Sequence, residues 1–185
     1  MRVTREQAAE NRERIVDAAA RLFREKGFDG VGVDAIMQAA GLTHGGFYRH
    51  FRSKDALAAE AVARGLAVNA GRQAALASLQ DVVSAYLSPQ HRNDAGGGCM
   101  IAAVGCEMAR QGKGVRRGLT AYVRDQIEQL ARQIGERGGA ARRQQAIATL
   151  AGLVGALVLA RAVDDPAFSD EILAAARRRF GGSRT

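Results

Sequence analysis

The chain has 185 residues, 47% of them hydrophobic and 25% charged, enough to bury a core of one domain or two in tight contact. Aromatics at 5%, no Trp and two Pro argue against a strand-rich fold, and two cysteines exclude a disulfide framework. The net charge of +8 suits a polyanionic partner, but residues 1–54 carry ten Lys/Arg against seven Asp/Glu and residues 55–185 carry seventeen against twelve, so charge alone does not locate a binding face.

In chain order, the start Met-Arg-Val-Thr-Arg-Glu-Gln has no apolar stretch of a leader, so a cytoplasmic protein is expected. Arg2 and Arg5 are candidates for a basic arm. From Glu6 to Lys26 the pattern is helical, with Ile15, Ala19, Leu22 and Phe23 on one face, and Gly27 supplies the stop. A short second helix begins near Val33, carries Ile36 and Met37, and ends at Gly41.

The next stretch, Thr43 to Phe51, reads Thr-His-Gly-Gly-Phe-Tyr-Arg-His-Phe. Two adjacent glycines cost about 1 kcal/mol each in a helix, and Gly-Gly between apolar runs is also a hairpin signal. Thr43 is nevertheless a good N-cap, and Phe47 and Phe51 share a face at helical spacing. Ser53 then caps a fourth helix through Leu57, Val62 and Leu66, with Lys54 in its first turn.

Helix, tight turn and short capped helix make a helix-turn-helix, whose second helix enters the DNA major groove. Gly45 and Gly46 then let the backbone approach DNA closely and leave His44, Tyr48 and Arg49 room to reach it. The run Arg12 to Leu57, with Leu22-Phe23, Lys26-Gly27-Phe28, Ala39-Ala40-Gly41-Leu42-Thr43, the Gly45 to Phe51 segment and Ser53-Lys54-Asp55, resembles the DNA-binding region of the TetR family of bacterial transcriptional regulators.

That resemblance implies an all-α fold of about nine helices: an N-terminal three-helix helix-turn-helix domain at residues 1–52 and an α-helical effector-binding and dimerisation domain at 53–185. It also implies a DNA-facing set of Thr43, His44, Gly45, Gly46, Tyr48, Arg49, His50 and Lys54. Two departures stand out: Gly32 where a capping Ser or Thr is usual, and Met37 where a small Ala is common. The first removes a hydroxyl contact to phosphate. His44 and His50 are six apart, point to different sides of a helix and have no third ligand nearby, so no metal is expected.

Beyond the fourth helix, Leu76 to Leu87 reads as helix, and residues 88–98 read as one long polar, glycine-rich loop. That loop lacks the strand and the Lys-Ser/Thr of a phosphate cradle. Cys99 opens the next helix, where free N–H groups favour a thiolate, so it is a candidate sensor of electrophiles or oxidants as well as a small core residue. Cys106 lies about 10.5 Å further along, too far for a disulfide.

Helices are expected from Gly114 to Ile134, Ala141 to Val163, and Ser169 to Phe180. The longest apolar run, Ala146 to Ala160, is fifteen residues, short of the ~18 of a membrane span. A buried helix and no membrane association are expected.

By resemblance, Tyr86, Met100, Val104, Met108, Leu119, Tyr122 and Val123 surround an effector pocket for a mainly apolar, unidentified small molecule, although core packing explains each of them equally well. Gly152, Leu153, Ala156 and Leu157, with Phe168, Ile172, Leu173 and Ala176, are the expected four-helix homodimer interface, with purely intrachain burial as the alternative.

The expected function is a one-component regulator, most simply a repressor, that binds a palindromic double-stranded operator as a homodimer and is released by an effector. A Cys99-based electrophile or oxidant response and a helical adaptor without sequence-specific DNA contacts are the alternatives. No cofactor is expected. No nucleophile elbow, HExxH or dinucleotide fingerprint is present, so an enzyme is not expected.

Overall fold

The computed structural model describes residues 4–134 and 138–181, so the candidate basic residue Arg2 lies outside the described residues. These residues form ten α-helices and one 3₁₀ turn, and no strand. The chain is all-α.

Helix α1 (Arg5–Lys26) starts where the Thr4 hydroxyl accepts the Gln7 N–H at 3.2 Å, and ends at Gly27, whose φ of +76° only glycine adopts without strain. Arg5 is therefore the first helical residue and not part of an arm. Its inner stripe of Ile15, Ala19, Leu22 and Phe23 is buried as the periodicity requires.

Helix α2 (Val33–Ala39) has no side-chain cap because Gly32 precedes it, and Gly41 turns the chain at φ +68°. The Gly-Gly segment is not a hairpin. A 3₁₀ turn (His44–Gly46) runs into α3 (Phe47–His50), a single α-turn. Thr43 flanks that turn without making a side-chain cap. The tighter opening turn is where the glycines fall, and the fully buried Phe47 anchors the α-turn that follows. Its burial contributes about 1.5–3 kcal/mol, comparable to or above the ~2 kcal/mol that two helical glycines cost.

Helix α4 (Lys54–Ala74) is capped by Ser53, whose hydroxyl accepts the Ala56 N–H at 3.1 Å. The presumed loop after Leu87 instead contains a further helix. Ser78 caps α5 (Leu79–Tyr86), and Ser88 with Pro89 at the first position starts α6 (Pro89–Asn93). A Ser-Pro pair that reads as a stop is here a restart. Helix α7 (Met100–Met108) is broken in φ/ψ at Val104, and α8 (Lys113–Gln133), α9 (Gly139–Ala162) and α10 (Pro166–Phe180) complete the chain.

The largest core cluster joins α1 through α4 to α7 and α8: Phe23, Ile36, Met37, Phe47 and Leu57 pack continuously with Met100, Met108 and Val115. A second cluster sets Val83, Tyr86, Leu87 and Cys99 against Leu153, Leu157 and Leu173.

Helix α9 is long and apolar enough to cross a membrane by length and composition, but one face packs on α8 and α10 as a bundle helix does. Its burial is one-sided. Ile147, Val158 and Leu159 stay exposed within the single chain.

Candidate nucleic-acid interface and cavity

The residues that flank the 3₁₀ turn divide by depth. Phe47 and Phe51 are buried with ring centroids 5.9 Å apart, while Tyr48 is 70% exposed with its ring edge against Phe47. Thr43, His44, Gly45 and Arg49 are exposed, and Gly46, His50 and Lys54 are half-buried. The residues expected to face DNA thus fall in and just before α3, exposed or half-buried as given, apart from Lys54 at the start of α4.

Neither glycine is explained by the protein's own packing. A Cβ at Gly45 meets nothing within 4 Å, one at Gly46 meets only Met37 Cε at 3.5 Å, and neither glycine has a positive φ. Both glycines cost helix stability yet relieve no internal clash, and they leave the backbone open on its outer side.

Three contacts around this surface are absent from the sequence reading. Arg12 makes a paired bond to Glu60 at 2.5 and 2.6 Å and lies 4.5 Å over the Phe51 ring, fixing α1 to α4 beside α3. His44 pairs with Asp34 of α2. Lys54 Nζ donates to the Phe28 carbonyl at 2.5 Å, so its charge at a helix start has a partner inside the chain. Burial, and then the Arg12 and Arg49 guanidiniums, push the His50 pKa below its usual value, leaving a neutral ring at pH 7.

The second feature is a cavity of about 460 Å³ between α4, α5, α6 and the segment that precedes α7. Asn69, Leu76, Val82, Ala85, Tyr86 and His91 contribute to its wall, with Cys99 beside them and Arg72 and Asp94 on exposed positions.

Of the residues expected in an effector pocket, Tyr86 lines this cavity. Met100, Val104 and Met108 do not; they are buried in the core between α1, α4 and α7. Leu119 and Val123 pack on the same core, and Tyr122 stands behind Asn69 without lining the space. The reason is rotational: the α7 methionines face α1 and α4, and the cavity lies on the opposite side of the Cys99 end.

Cys99 is buried and lines the cavity; Cys106 is exposed and does not. The Cys99 N–H donates to His91 Nε2 at 3.0 Å, which places the ring proton on Nδ1, 2.7 Å from the Tyr86 carbonyl. Burial, with Arg161 and Arg72 nearby, lowers the His91 pKa and keeps this tautomer neutral. The cavity's far wall is gripped by three helices. Arg24 of α1 donates to the Gly96 carbonyl, Arg72 of α4 to the Gly97 carbonyl at 2.5 Å, and Arg161 of α9 to the His91 carbonyl at 2.7 Å.

The expected dimer residues also divide. Leu153, Ala156, Leu157 and Leu173 are buried inside the chain against Val83, Leu87 and Cys99, and Gly152 sits under the Phe180 ring. The four buried residues are corrected to intrachain core, and Gly152 is half-buried. Phe168 is 49% exposed, and Ile172 and Ala176 are half-buried. Helix α9 presents Ala151, Val158 and Leu159 outward instead, a one-position shift in helical phase that the apolar run could not resolve.

An all-α chain whose short glycine-led helix follows a tight turn has the architecture of a helix-turn-helix. Residues 15–61 match the family model of bacterial regulatory proteins of the tetR family. Among curated relatives, the HTH-type transcriptional regulator AcrR of Shigella flexneri is 41% identical over 59 residues, which is 32% of this chain and 27% of that protein. The HTH-type transcriptional repressor Rv1474c of Mycobacterium tuberculosis is 36% identical over 88 residues, 45% of this chain and 46% of the repressor.

Across nearly the whole length, a TetR transcriptional regulator from Chloroflexus aurantiacus superposes with a TM-score of 0.78 at 26% identity, covering 95% of this chain and 94% of that one. Reduced Escherichia coli NemR shares the fold at a TM-score of 0.74 and 22% identity, covering 92% and 94%. The fold of the whole chain is thus that of TetR-family structures, and its residues 15–61 match the family's model. Its matches span less than half the length of these curated relatives.

Proposed function

We propose that the protein is a transcriptional repressor that binds a palindromic operator as a homodimer and releases it when a small molecule fills the cavity. In this reading residues 1–52 are the DNA-binding unit and 53–185 the effector-binding and dimerisation unit. The observation that carries it is the Gly45-Gly46 turn, exposed and sterically free beside Tyr48 and Arg49, where nothing within the protein calls for glycine.

Major-groove entry by α3 then brings Thr43, His44, Tyr48 and Arg49 to bases and phosphates, with His50 and Lys54 at the edge. A two-fold dimer sets a pair of such helices about 34–36 Å apart, one turn of DNA. The exposed apolar residues Val158, Leu159 and Phe168 support pairing through the outer faces of α9 and α10. A cytoplasmic protein without catalysis or a membrane partner fits this role. Cys99, lining the cavity, supports a second reading in which an electrophile acts there through the thiol.

The test is a shift assay on DNA flanking the protein's own coding region. A discrete complex that survives competitor DNA supports the reading. Salt-sensitive binding with no sequence preference contradicts it and favours the adaptor alternative.

A further inference from the structure

We infer that the cavity selects neutral, largely apolar molecules that carry a carbonyl oxygen, and discriminates against lipophilic cations; the inference rests on the reading of this cavity as the effector site. Two of its lining residues are polar and deeply buried. Asn69 and Tyr86 are each 7% exposed. Neither Asn69 Nδ2 nor the Tyr86 hydroxyl has a hydrogen-bond partner, and both atoms are shielded from water.

The neighbours do not satisfy them. The Cys99 thiol beside the Tyr86 hydroxyl and the Tyr122 hydroxyl beside the Asn69 amide are weak hydrogen-bond partners, and neither contact reaches full hydrogen-bond geometry. Asn69 Nδ2 is a donor only. Burial holds the Tyr86 pKa well above its usual value, so that hydroxyl keeps its proton and donates as well. The two unmet needs call for an acceptor.

The rest of the wall narrows the class. Leu76, Val82 and Ala85 are apolar, both His91 nitrogens are already bonded, and the polar Gln73, Ser88 and Gln90 stand at half-buried or exposed positions rather than at its deep end. The charged groups around the space are cationic in excess: Arg72 and, behind the loop, Arg24 and Arg161, against the single Asp94, whose carboxylate already accepts the Gly97 N–H at 2.8 Å. A cation entering here meets three guanidiniums against one carboxylate, Asp94, which is exposed and already engaged through one oxygen. Arg72 lines the cavity from an exposed position with one nitrogen engaged by the Gly97 carbonyl, so a carboxylate seated at the deep donors meets two neutral donors there rather than an ion-pair partner. An uncharged carbonyl on an apolar body meets both donors at the least desolvation cost.

Three probes of similar size test this by titration calorimetry on the full chain: 2-acetylnaphthalene, 2-ethylnaphthalene and trimethyl(2-naphthylmethyl)ammonium. We expect the ketone to bind about tenfold more tightly than the hydrocarbon, one net hydrogen bond's worth, and the cation to bind no better than the hydrocarbon. Tyr86→Phe and Asn69→Leu each shrink that ratio, and together bring it to about one. Both variants should melt no lower than wild type, since each removes a shielded, unpartnered group. If either fails to fold, the wild-type ratio alone decides.

Equal affinity for ketone and hydrocarbon, tighter binding of the cation, or no ketone binding up to a millimolar overturns the inference. The same probes added to the protein–DNA complex separate the two claims. Selective ketone binding that leaves DNA bound sinks the effector reading and keeps the cavity chemistry. Release of DNA by all three probes alike sinks the chemistry and keeps the effector reading.

Discussion

The Glu107 carboxylate accepts the backbone N–H of Phe28 at 2.8 Å, joining residues 79 apart in sequence. Lys54 Nζ holds the carbonyl of the same Phe28, so the turn between α1 and α2 is gripped from α7 and α4 together. Helix α7 begins at the cavity with Cys99 as its cap and ends at this grip, and its φ/ψ break at Val104 lies between the two. One short helix thus touches both the candidate effector site and the helix-turn-helix.

Removing that carboxylate should be felt in the fold. Glu107→Ala leaves the Phe28 N–H without its acceptor and is expected to destabilise by about 1–3 kcal/mol, whereas Glu107→Gln, which keeps an acceptor oxygen, loses less. Urea denaturation measures this as a lower midpoint at unchanged slope. Equal stability of all three proteins contradicts the grip.

Gly45→Ala separates folding from DNA binding. A methyl there meets nothing in the protein within 4 Å, and alanine favours a helical turn, so stability is expected to hold or rise by up to about 1 kcal/mol. Operator affinity should fall because the same methyl stands against DNA. An alanine variant that binds as tightly as wild type shows that the glycine serves no close approach.

The two phases of α9 predict opposite outcomes for neighbouring residues. Leu157→Ala empties a fully buried site and should cost about 2–5 kcal/mol of stability. Leu159→Glu and Phe168→Glu alter side chains that are 57% and 49% exposed, and should leave the monomer folded while lowering its self-association in sedimentation equilibrium. A Leu159→Glu protein that remains fully dimeric places the interface elsewhere.

The helix phases show why the exposed surface around α3 was more legible in the sequence than the cavity. Phe47 and Tyr48 are adjacent, one an obvious anchor and the other left outward, so the short glycine-bearing helix has only one sensible orientation. Met100, Val104 and Met108 offered no such contrast: on a uniformly apolar helix, facing a core and facing a cavity look alike. Asn69 did carry a signal, standing at i+7 from Val62 and i+3 from Leu66 on an otherwise apolar stripe, where a lone amide marks a polar need inside the protein. His91 and Arg161 carried none. Their roles arise from carbonyls and N–H groups brought together across the fold, and no spacing along the chain encodes those.

Acid should loosen the cavity wall. Burial lowers the pKa of His91 in the folded chain, so the unfolded chain takes up the proton first as pH falls. The contribution is complete above the usual histidine value of about 6.5 and is lost as pH drops toward the depressed native value. His50 shifts in the same direction through its own burial. Melting temperature followed from pH 8 to pH 5 should therefore decline below about 6.5, and His91→Gln should flatten part of that decline. An unchanged slope in the variant removes His91 from the account.

The central claim is that the surface around α3 reads duplex DNA. Its most direct measurement is operator binding by Tyr48→Ala and Arg49→Ala, each first shown by circular dichroism and sedimentation to keep the fold and oligomeric state of the wild type. Both substitutions remove exposed side chains that make no side-chain hydrogen bond among the described residues, so the expected result is folded protein that has lost the discrete shifted complex. Wild-type affinity in both variants contradicts it.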